Sequence, residues 1–341
     1  MKSARPKVLH TLAGRSLLQH VLNAVAGLGA DRTLVIVGYG AEAVRTQVAE
    51  HGALGVLQEP QLGTGHAVQQ AVPHLPDAGT TLILNGDVPM IEADTAAALV
   101  AACGGTKLAL LTVELSDPTG YGRIVRDPGQ GDAVKAIVEH KDASAAQRAI
   151  REVYTGMLAA PTAWLKRSVM SLKNDNAQRE YYLTDIVAIA EGERLPVLAV
   201  PAHDETEVAG VNSAAQLAEL ERRVQRRQAE ALMEAHGVRF ADPARFDLRG
   251  TLACGRDVFI DVGCVFEGEV TLGDEVTIGA HCVIRNARIE SGALIQPFTH
   301  MTDAVVGPRA EVGPFARLRP GAQLGEQVHI GNFVEVKNST L

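Results

Sequence analysis

The sequence contains few cysteines, no long apolar run and no recognisable nucleophile motif. Its four cysteines form no C-x-x-C pair, which speaks against a zinc site or a dithiol redox centre. No apolar run approaches the roughly 18 residues of a membrane-spanning helix, and no signal-peptide core follows the first residue. A Walker A loop, an HExxH motif and a Ser/His/Asp arrangement are also lacking. These absences predict a cytoplasmic protein with no membrane partner.

Positive charge is also in short supply. Lys and Arg number 32 against 40 Asp and Glu, so the formal net charge is −8. A general nucleic-acid binder needs a basic surface to neutralise phosphates, and we therefore expect no nucleic-acid partner. Small phosphorylated substrates need only a few local cations and are compatible with this charge. With 341 residues, of which 46% are hydrophobic, the chain can form two domains with full cores.

The last third of the chain repeats an apolar residue every six positions. The repeat comprises Ile260, Phe266, Leu272, Ile278 and Ile284, then Ile289, Ile295 and Met301 after one slip, and Val306, Val312, Leu318, Leu324, Ile330 and Val336 after another. Neither an α-helix nor a strand alternation has this period. A hexapeptide repeat is typical of a parallel β-helix, in which each coil stacks on the next. Cys264 and Cys282 are one such coil apart, and we expect them to pack as small buried core residues.

The first two hundred residues alternate between helix-like and strand-like segments. Helices are predicted from Ser16, at residues 41–50 and after Gly63, and strands at residues 33–37, 55–58, 80–84, 108–113 and 196–200. Such alternation indicates an α/β domain with a largely parallel sheet. Ligands in such sheets lie beyond the carboxyl ends of the strands. Residues 213–235 are rich in strong helix formers and lack Gly and Pro, which predicts a linker helix or, as the alternative, a helix in the outer shell of the first domain.

An acidic residue follows the strand predicted at residues 80–84. The run Asn85-Gly86-Asp87-Val88-Pro89 places Asp87 at the carboxyl end of a buried strand. Hard oxygen ligands at such an edge suit Mg²⁺, which keeps several waters and bridges to substrate phosphates. An Asx-turn or a helix N-cap would explain the same residues without any ligand.

Two glutamines and a Gly-Thr-Gly run stand at a predicted strand-to-helix junction. Gln58 and Gln61 precede Gly63 and Thr64. A glutamine amide can recognise a nucleobase edge because it carries both a donor and an acceptor. Thr64 can bind a ligand or cap the helix that follows. Lys7, considered alone, would be a solvated lysine.

Ten segments carry a family resemblance and occur in order along essentially the whole chain. They are PKVLHTLAG, QLGTGHA, GDVP, DPTGYGRI, VEHKDA, YYLTDI, GVN, DPARFDLRGTL, GPFARLRPGA and GNFVEVK. Together they resemble the bacterial bifunctional N-acetylglucosamine-1-phosphate uridyltransferase/glucosamine-1-phosphate N-acetyltransferases. The resemblance implies a Rossmann-like nucleotidyltransferase domain at residues 1–212, the linker helix at 213–235, and a partial left-handed parallel β-helix at 236–341.

For the first domain, the resemblance implies uridyl transfer from UTP to N-acetylglucosamine 1-phosphate. Asp87 and Asn212 would hold Mg²⁺, and Lys7 would meet phosphate. The uridine nucleotide would contact Gln58, Gln61, Gly63 and Thr64. The nucleotide-sugar site would include Asn85, Gly86, Gly122, Glu139, Tyr154 and Thr184.

For the second domain, the resemblance implies acetyl transfer from acetyl-CoA to glucosamine 1-phosphate within a homotrimer. Arg319 and Lys337 would bind the phosphosugar, since cations suit an anionic ligand. Without the resemblance, both would be interpreted as surface cations of the β-helix.

The chain departs from the family pattern in three places. Met1-Lys2-Ser3 aligns with the end of the family's glycine-rich phosphate loop, so the first strand and most of that loop are missing. The family's catalytic His and its acetyl-CoA-binding coils would lie beyond Leu341. Tyr154 stands where the family typically has Asn. We therefore expect truncation at both ends, little uridyl transfer and no acetyl transfer.

Two other interpretations remain open from the sequence. One is a nucleotidyltransferase of the same architecture that prefers a different nucleotide. The other is a non-catalytic assembly or regulatory subunit, which the missing loop favours and the retained Lys7, Asp87 and Asn212 oppose.

Overall fold

The computed structural model describes residues 3–126, 133–176 and 178–341. Met1 and Lys2, which the resemblance aligns with the phosphate loop, lie outside the described residues. The chain divides into two compact units. The first comprises Met1–His10 and Ser16–Asn212, and the second comprises Thr11–Arg15 and Ser213–Leu341.

Helices form where the apolar spacing predicts them. The α-helices are α1 Leu17–Val25, α2 Ala41–Glu50, α3 Thr64–Ala71, α4 Ala93–Cys103, α5 Ala145–Arg148, α6 Thr162–Met170, α7 Ile186–Gly192 and α8 Ala214–His236. Short 3-10 helices occur at Lys7–Leu9, Ala26–Leu28, Val72–His74, Leu183–Asp185 and Pro243–Arg245. The helix predicted from Ser16 is confirmed, and the Ser16 hydroxyl caps it by accepting a hydrogen bond from the Gln19 N–H at 3.0 Å.

The strands of the first part of the chain are short except for two. They are β1 Thr11–Leu12, β2 Arg15–Ser16, β3 Leu34–Val37, β4 Leu54–Leu57, β5 Thr80–Ile83, β6 Leu108–Glu114, β7 Gly122–Arg126, β8 Val134–Val138, β9 Glu152–Pro161 and β10 Val197–Pro201. The strand predicted at residues 55–58 is thus β4, one residue earlier.

The central sheet of the first unit is mixed, so the prediction of a largely parallel sheet is wrong for it. The strand order is β10-β6-β9-β7-β8, and β5 also pairs with β9. Among the described strand pairs of this sheet, β10 and β6 alone are parallel, whereas β9 runs antiparallel to β5, β6 and β7. Burial on both faces gives any central strand a continuous apolar run, and such a run carries no information about direction. The parallel pair β3–β4 forms a separate two-stranded sheet.

The second unit is rich in β-structure. Its strands are β11 Arg239–Phe240, β12 Phe246–Cys254, β13 Phe259–Ile260, β14 Cys264–Leu272, β15 Thr277–Ile278, β16 Val283–Ile289, β17 Leu294–Ile295, β18 His300–Val306, β19 Glu311–Val312, β20 Arg317–Leu318, β21 Gln323–Leu324, β22 His329–Ile330 and β23 Glu335–Val336. They form two parallel sheets, β11-β13-β15-β17-β19-β22 and β12-β14-β16-β18-β20-β23, with β21 against β18. α8 belongs to this unit, and its role as a linker stays a prediction.

The six-residue repeat produces stacked coils with a shared core. Phe266 pairs with Ile284, which is 284 − 266 = 18 residues on, whereas Ile284 pairs with Met301, which is 17 on. The predicted slip is therefore a coil that is one residue shorter. Cys264 and Cys282 are buried and free, as predicted. Burial raises the pKa of Cys264 to about 11 and that of Cys282 to about 12, so both thiols stay neutral.

Among the described residues, none of the helices combines the length and the apolar character that crossing a membrane requires.

Candidate functional site

Three predicted site residues of the first unit meet beyond the carboxyl end of β5. The Val211 N–H donates a hydrogen bond to the Asp87 carbonyl at 3.0 Å, which brings the following Asn212 beside Asp87. Lys7 enters from a 3-10 helix. Its Nζ lies 2.5 Å from Asp87 Oδ2 and donates to Asn212 Oδ1 at 2.8 Å. The ammonium group thus contacts both residues that were predicted to hold a metal.

The contacts of Lys7 allow a test of whether these residues suit Mg²⁺. A carboxylate oxygen and an amide oxygen point at one cationic centre, and both are the hard donors that Mg²⁺ prefers. In the part of the chain that the structure describes, no group of three or more His, Cys, Asp or Glu side chains could hold a metal. A Mg²⁺ ion often takes only one or two protein ligands and completes its shell with water and phosphate oxygens. The pair Asp87 and Asn212 fits that pattern.

The surroundings of Asp87 are partly buried. Burial raises the pKa of the Tyr121 phenol, and the nearby Asp87 carboxylate raises it further. Gly86 faces the first helices, since a Cβ there would lie at ordinary contact distance from a Val8 methyl group, 3.5 Å, and from a Leu18 methyl group, 3.6 Å. Tyr121 was not singled out from the sequence, where nothing connects it to Asp87.

The predicted glutamine and glycine residues lie between β4 and α3. The Gln58 amide donates to the Gly63 carbonyl at 3.0 Å and lies 3.1 Å from His66 Nδ1. Gln61 is exposed, with its side chain against Gly38. Gly63 has φ +106°, and a Cβ there would lie 2.7 Å from the Tyr181 carbonyl oxygen, so only glycine fits.

Thr64 connects this loop to a second segment of the site. Its hydroxyl does not cap α3 but accepts a hydrogen bond from the Leu183 N–H at 3.1 Å. The neighbouring Gly65 N–H donates to the Tyr181 carbonyl at 2.7 Å. Since Thr184 follows Leu183, these bonds place the glutamine loop next to the segment that carries Thr184.

Glu139 and Thr184 form a second cluster at the end of β8. The Thr184 hydroxyl donates to Glu139 Oε1 at 3.2 Å, and a Cβ at Gly122 would lie 3.6 Å from the same oxygen. Burial raises the pKa of Glu139 above its ordinary value of 4.5, with smaller contributions from Asp142 and Asp185, while the Thr184 hydrogen bond opposes this shift. Gly122, Glu139 and Thr184 are therefore brought together, and their role in nucleotide-sugar binding stays a prediction.

Tyr154 lies on β9 opposite Gly122. Its side chain is buried, with 6% of the residue exposed, and its hydroxyl has no hydrogen-bond partner within the described ranges. Burial raises the pKa of the phenol, and the Glu139 carboxylate acts in the same direction. The hydroxyl therefore stays protonated and can donate a hydrogen bond.

Asn85 is held against β9 at Thr155 and Gly156. Its amide donates to the Thr155 carbonyl at 3.0 Å. Gly156 has φ +88°, and a Cβ there would collide with the Asn85 amide. A Gly within a strand was a readable signal of this close approach, and the sequence reasoning missed it.

In the second unit, Arg319 and Lys337 lie on neighbouring coils. The Arg319 N–H donates to the Val336 carbonyl at 2.9 Å, so Arg319 is adjacent to the residue before Lys337. The Arg319 guanidinium donates to Glu335 Oε1 at 3.0 Å, and the Lys337 residue is exposed. Two cations, one of them bound to a carboxylate, thus face solvent at this end of the coil stack.

Two families match successive parts of the chain. Residues 1–240 match the family described as MobA-like NTP transferase domain, and residues 248–341 match the GMPPB C-terminal domain. A solved structure of UDP-glucose pyrophosphorylase complexed with UDP-glucose superposes with a TM-score of 0.53 at 12% identity, covering 65% of this chain and 91% of that one. At such low identity this likeness shows the fold alone.

Curated relatives align with the whole chain. The bifunctional protein GlmU of Methylibium petroleiphilum is 70% identical over 346 residues, which cover 100% of this chain and 75% of that protein. GlmU of Paracidovorax citrulli is 60% identical, again with 100% of this chain and 75% of the relative covered. The chain thus spans about three quarters of the length of these relatives. It belongs to the GlmU family of bifunctional enzymes, which are nucleotidyltransferases and acetyltransferases.

Proposed function

We propose that the first unit transfers a uridyl group from UTP to N-acetylglucosamine 1-phosphate in the presence of Mg²⁺, forming UDP-N-acetylglucosamine and pyrophosphate. The observation that carries this proposal is the convergence of Asp87, Asn212 and Lys7 beyond β5. These residues bring two oxygen ligands and one ammonium group to a single point, as a substrate with several phosphates requires. Family membership supports the same reaction class.

The reaction needs no covalent protein nucleophile. A phosphate oxygen of the sugar phosphate forms a bond to the α-phosphorus of UTP, and the bond from that phosphorus to the bridging oxygen breaks. The electron pair of the broken bond leaves with pyrophosphate. The protein positions the partners and neutralises charge, with Lys7 at the phosphates. Mg²⁺, held by Asp87 and Asn212, supplies further charge neutralisation when bound.

The remaining predicted residues divide between the two ends of the nucleotide sugar. We assign the uridine nucleotide to Gln58, Gln61, Gly63 and Thr64, and the sugar side to Asn85, Gly86, Gly122, Glu139, Tyr154 and Thr184. The unpaired Tyr154 hydroxyl supports this assignment, because a sugar hydroxyl or acetamido oxygen would satisfy its buried donor. Glu139 can accept a hydrogen bond from a sugar hydroxyl.

For the second unit we propose the family's acetyltransferase architecture. It comprises a left-handed β-helix that assembles as a homotrimer, with Arg319 and Lys337 binding glucosamine 1-phosphate and with acetyl-CoA as co-substrate. The stacked parallel coils and the adjacent cations support this part of the proposal. A cytoplasmic location belongs to the same proposal.

Pyrophosphate release from UTP and N-acetylglucosamine 1-phosphate tests the proposed reaction. We expect release to require Mg²⁺ and to disappear in Asp87→Asn. Asp77→Asn is the control, because the Asp77 side chain is fully exposed. A preference for ATP or dTTP over UTP would replace the uridyl assignment by the alternative nucleotidyltransferase.

Binding measurements separate weak catalysis from the absence of a site. Calorimetry should detect UDP-N-acetylglucosamine binding even where turnover is low. Neither binding nor turnover would favour the non-catalytic subunit. For the second unit, mass photometry should show a trimer, and Arg319→Ala with Lys337→Ala should abolish glucosamine 1-phosphate binding; a monomer with unchanged affinity would contradict that assignment.

A further inference from the structure

Arg123 is a buried cation that the proposed reaction does not use. The residue is 1% exposed, although it lies on β7 only one position from Gly122. Its guanidinium donates to the Tyr121 carbonyl and, through Nη2, contacts His140 Nδ1 at 3.2 Å. Its Nε is buried without a hydrogen-bond partner in the described sequence.

This environment is unfavourable for a guanidinium group. Arginine stays protonated in proteins, and a buried charge is tolerated at low cost only when it is paired and fully hydrogen-bonded. The hydrogen-bond partners of Arg123 are a carbonyl oxygen and an imidazole nitrogen, and the Asp117 carboxylate interacts with the guanidinium only electrostatically. Core packing alone would therefore favour an apolar residue at this position.

The contacts of Arg123 join two segments of the sugar site. Tyr121 precedes Gly122, and His140 follows Glu139. The pairing of β7 with β8 ends at Arg123 and Val138. Gly122 and Glu139, which are the next residues on the two strands, are therefore not held together by strand pairing. The guanidinium spans this open end, where a Cβ at Gly122 would be 3.6 Å from Glu139 Oε1.

We propose that Arg123 is a positioning residue for nucleotide-sugar binding, which holds the Tyr121 and His140 segments together and thereby fixes Gly122 against Glu139. This inference rests on the proposed function of the first unit. Arg123 touches no substrate in this role and acts through its two neighbours.

Three variants test the role. Arg123→Met removes the guanidinium, and His140→Phe removes only its imidazole acceptor, so the second variant remains informative if the first folds poorly. Arg126→Met is the matched control, because Arg126 lies on the same strand but forms an ion pair with Glu152, with N–O distances of 2.6 and 2.8 Å. UDP-N-acetylglucosamine is the probe, and affinity is measured by calorimetry alongside the melting temperature.

A positioning role and a purely structural role give opposite patterns. We expect Arg123→Met and His140→Phe each to weaken binding about tenfold or more, equivalent to one charge-assisted hydrogen bond. The melting temperature of Arg123→Met should stay within about 3 °C of the wild type, because a costly buried charge is removed. His140→Phe leaves that charge buried with one partner fewer and should melt at a lower temperature. Arg126→Met should lower the melting temperature and leave the affinity unchanged. Unchanged affinity in both test variants, or an equal loss in Arg126→Met, overturns the proposal.

If the wild-type chain does not bind UDP-N-acetylglucosamine, the proposed function is rejected. Amide hydrogen exchange then still tests whether Arg123 orders the Tyr121 and His140 segments. The Tyr121 N–H bonds the Pro118 carbonyl at 3.2 Å, and the Asp142 N–H bonds the Glu139 carbonyl at 3.0 Å. Both amides should exchange faster in Arg123→Met than in Arg126→Met. Equal exchange in the two variants would show that Arg123 does not order these segments.

Discussion

Replacing Lys7 by methionine is expected to strengthen divalent-cation binding to the nucleotide-free protein. The Lys7 ammonium occupies the point at which Asp87 Oδ2 and Asn212 Oδ1 converge, 2.5 and 2.8 Å away. A cation that uses the same two oxygens must first displace the ammonium. Methionine keeps most of the length of the side chain and removes both the charge and the donors.

The size of the effect follows from the strength of the lysine contact. The Lys7 and Asp87 side chains are 36% and 23% exposed, so the pair is neither fully solvated nor fully buried. Exposed pairs contribute up to about 1 kcal/mol and charge-assisted hydrogen bonds about 1.5–3 kcal/mol, so we take about 1–2 kcal/mol after allowing for solvent screening. The state with both oxygens free is then about 5- to 30-fold less populated. Because apparent affinity falls with the competent fraction, Lys7→Met should bind about 5- to 30-fold more tightly.

Titration with Mn²⁺, followed by electron paramagnetic resonance without nucleotide, measures this affinity directly. Lys166→Met is the matched control. Lys166 Nζ lies 2.6 Å from Asp77 Oδ1, a similar ion pair that involves none of the site residues. The gain should vanish in the double variant Lys7→Met/Asp87→Asn. An unchanged or lower affinity in Lys7→Met, or the same gain in Lys166→Met, would refute the competition and with it the placement of the cation between Asp87 and Asn212.

Three further predictions concern stability. Burial raises the pKa of Glu139 above 4.5, so the folded protein favours the protonated carboxyl group. The contribution of this group to folding stability is complete below pH 4.5 and is lost as the pH rises through the folded pKa. In urea unfolding, Glu139→Gln should therefore be more stable than the wild type at pH 7 but not at pH 4. Gly156→Ala, at φ +88° and against the Asn85 amide, should cost about 1–3 kcal/mol of unfolding free energy by the same assay, and no loss would contradict the close approach. Phe266→Ala, at 0% exposure, should cost about 3–5 kcal/mol, whereas Phe333→Ala, at 77% exposure, should cost less than about 1 kcal/mol; equal thermal shifts would contradict the core assignment.

The second unit could be predicted in detail because the spacing of its apolar residues along the sequence directly sets which residues are packed in its core. Each coil of a stacked solenoid returns to the same point, so an inward position recurs at a fixed interval. Both the buried positions and the slip after Ile284 could be read from the spacing, and the register of Ile284 on Met301 confirms the slip. The rotation sense of the coils leaves no comparable mark on spacing, which is why handedness rests on resemblance.

The first unit could be predicted only at the level of its elements. Helix α2 was placed at Ala41–Glu50 from the local alternation of helix-like and strand-like segments, which is a short-range property. The antiparallel direction of β9 and the partners of Lys7 depend on chain segments far apart in sequence; Lys7 and Asn212 are separated by 205 positions. Arg123 shows the same limit, because a charged residue in a strand is normally expected at the surface and nothing nearby predicts its burial.

Lys7 has one expected partner from the sequence and two different partners in the structure. The family resemblance assigns it to phosphate, whereas the structure places it on Asp87 and Asn212. With one carboxylate, one amide and one ammonium, this cluster is close to neutral and offers a divalent cation little net attraction. A nucleotide that brings several negative charges would offer the ammonium new partners and free both oxygens at the same time. Mg²⁺ and nucleotide are therefore expected to bind cooperatively, and the cooperativity should shrink in Lys7→Met, because that variant exposes the oxygens before nucleotide arrives.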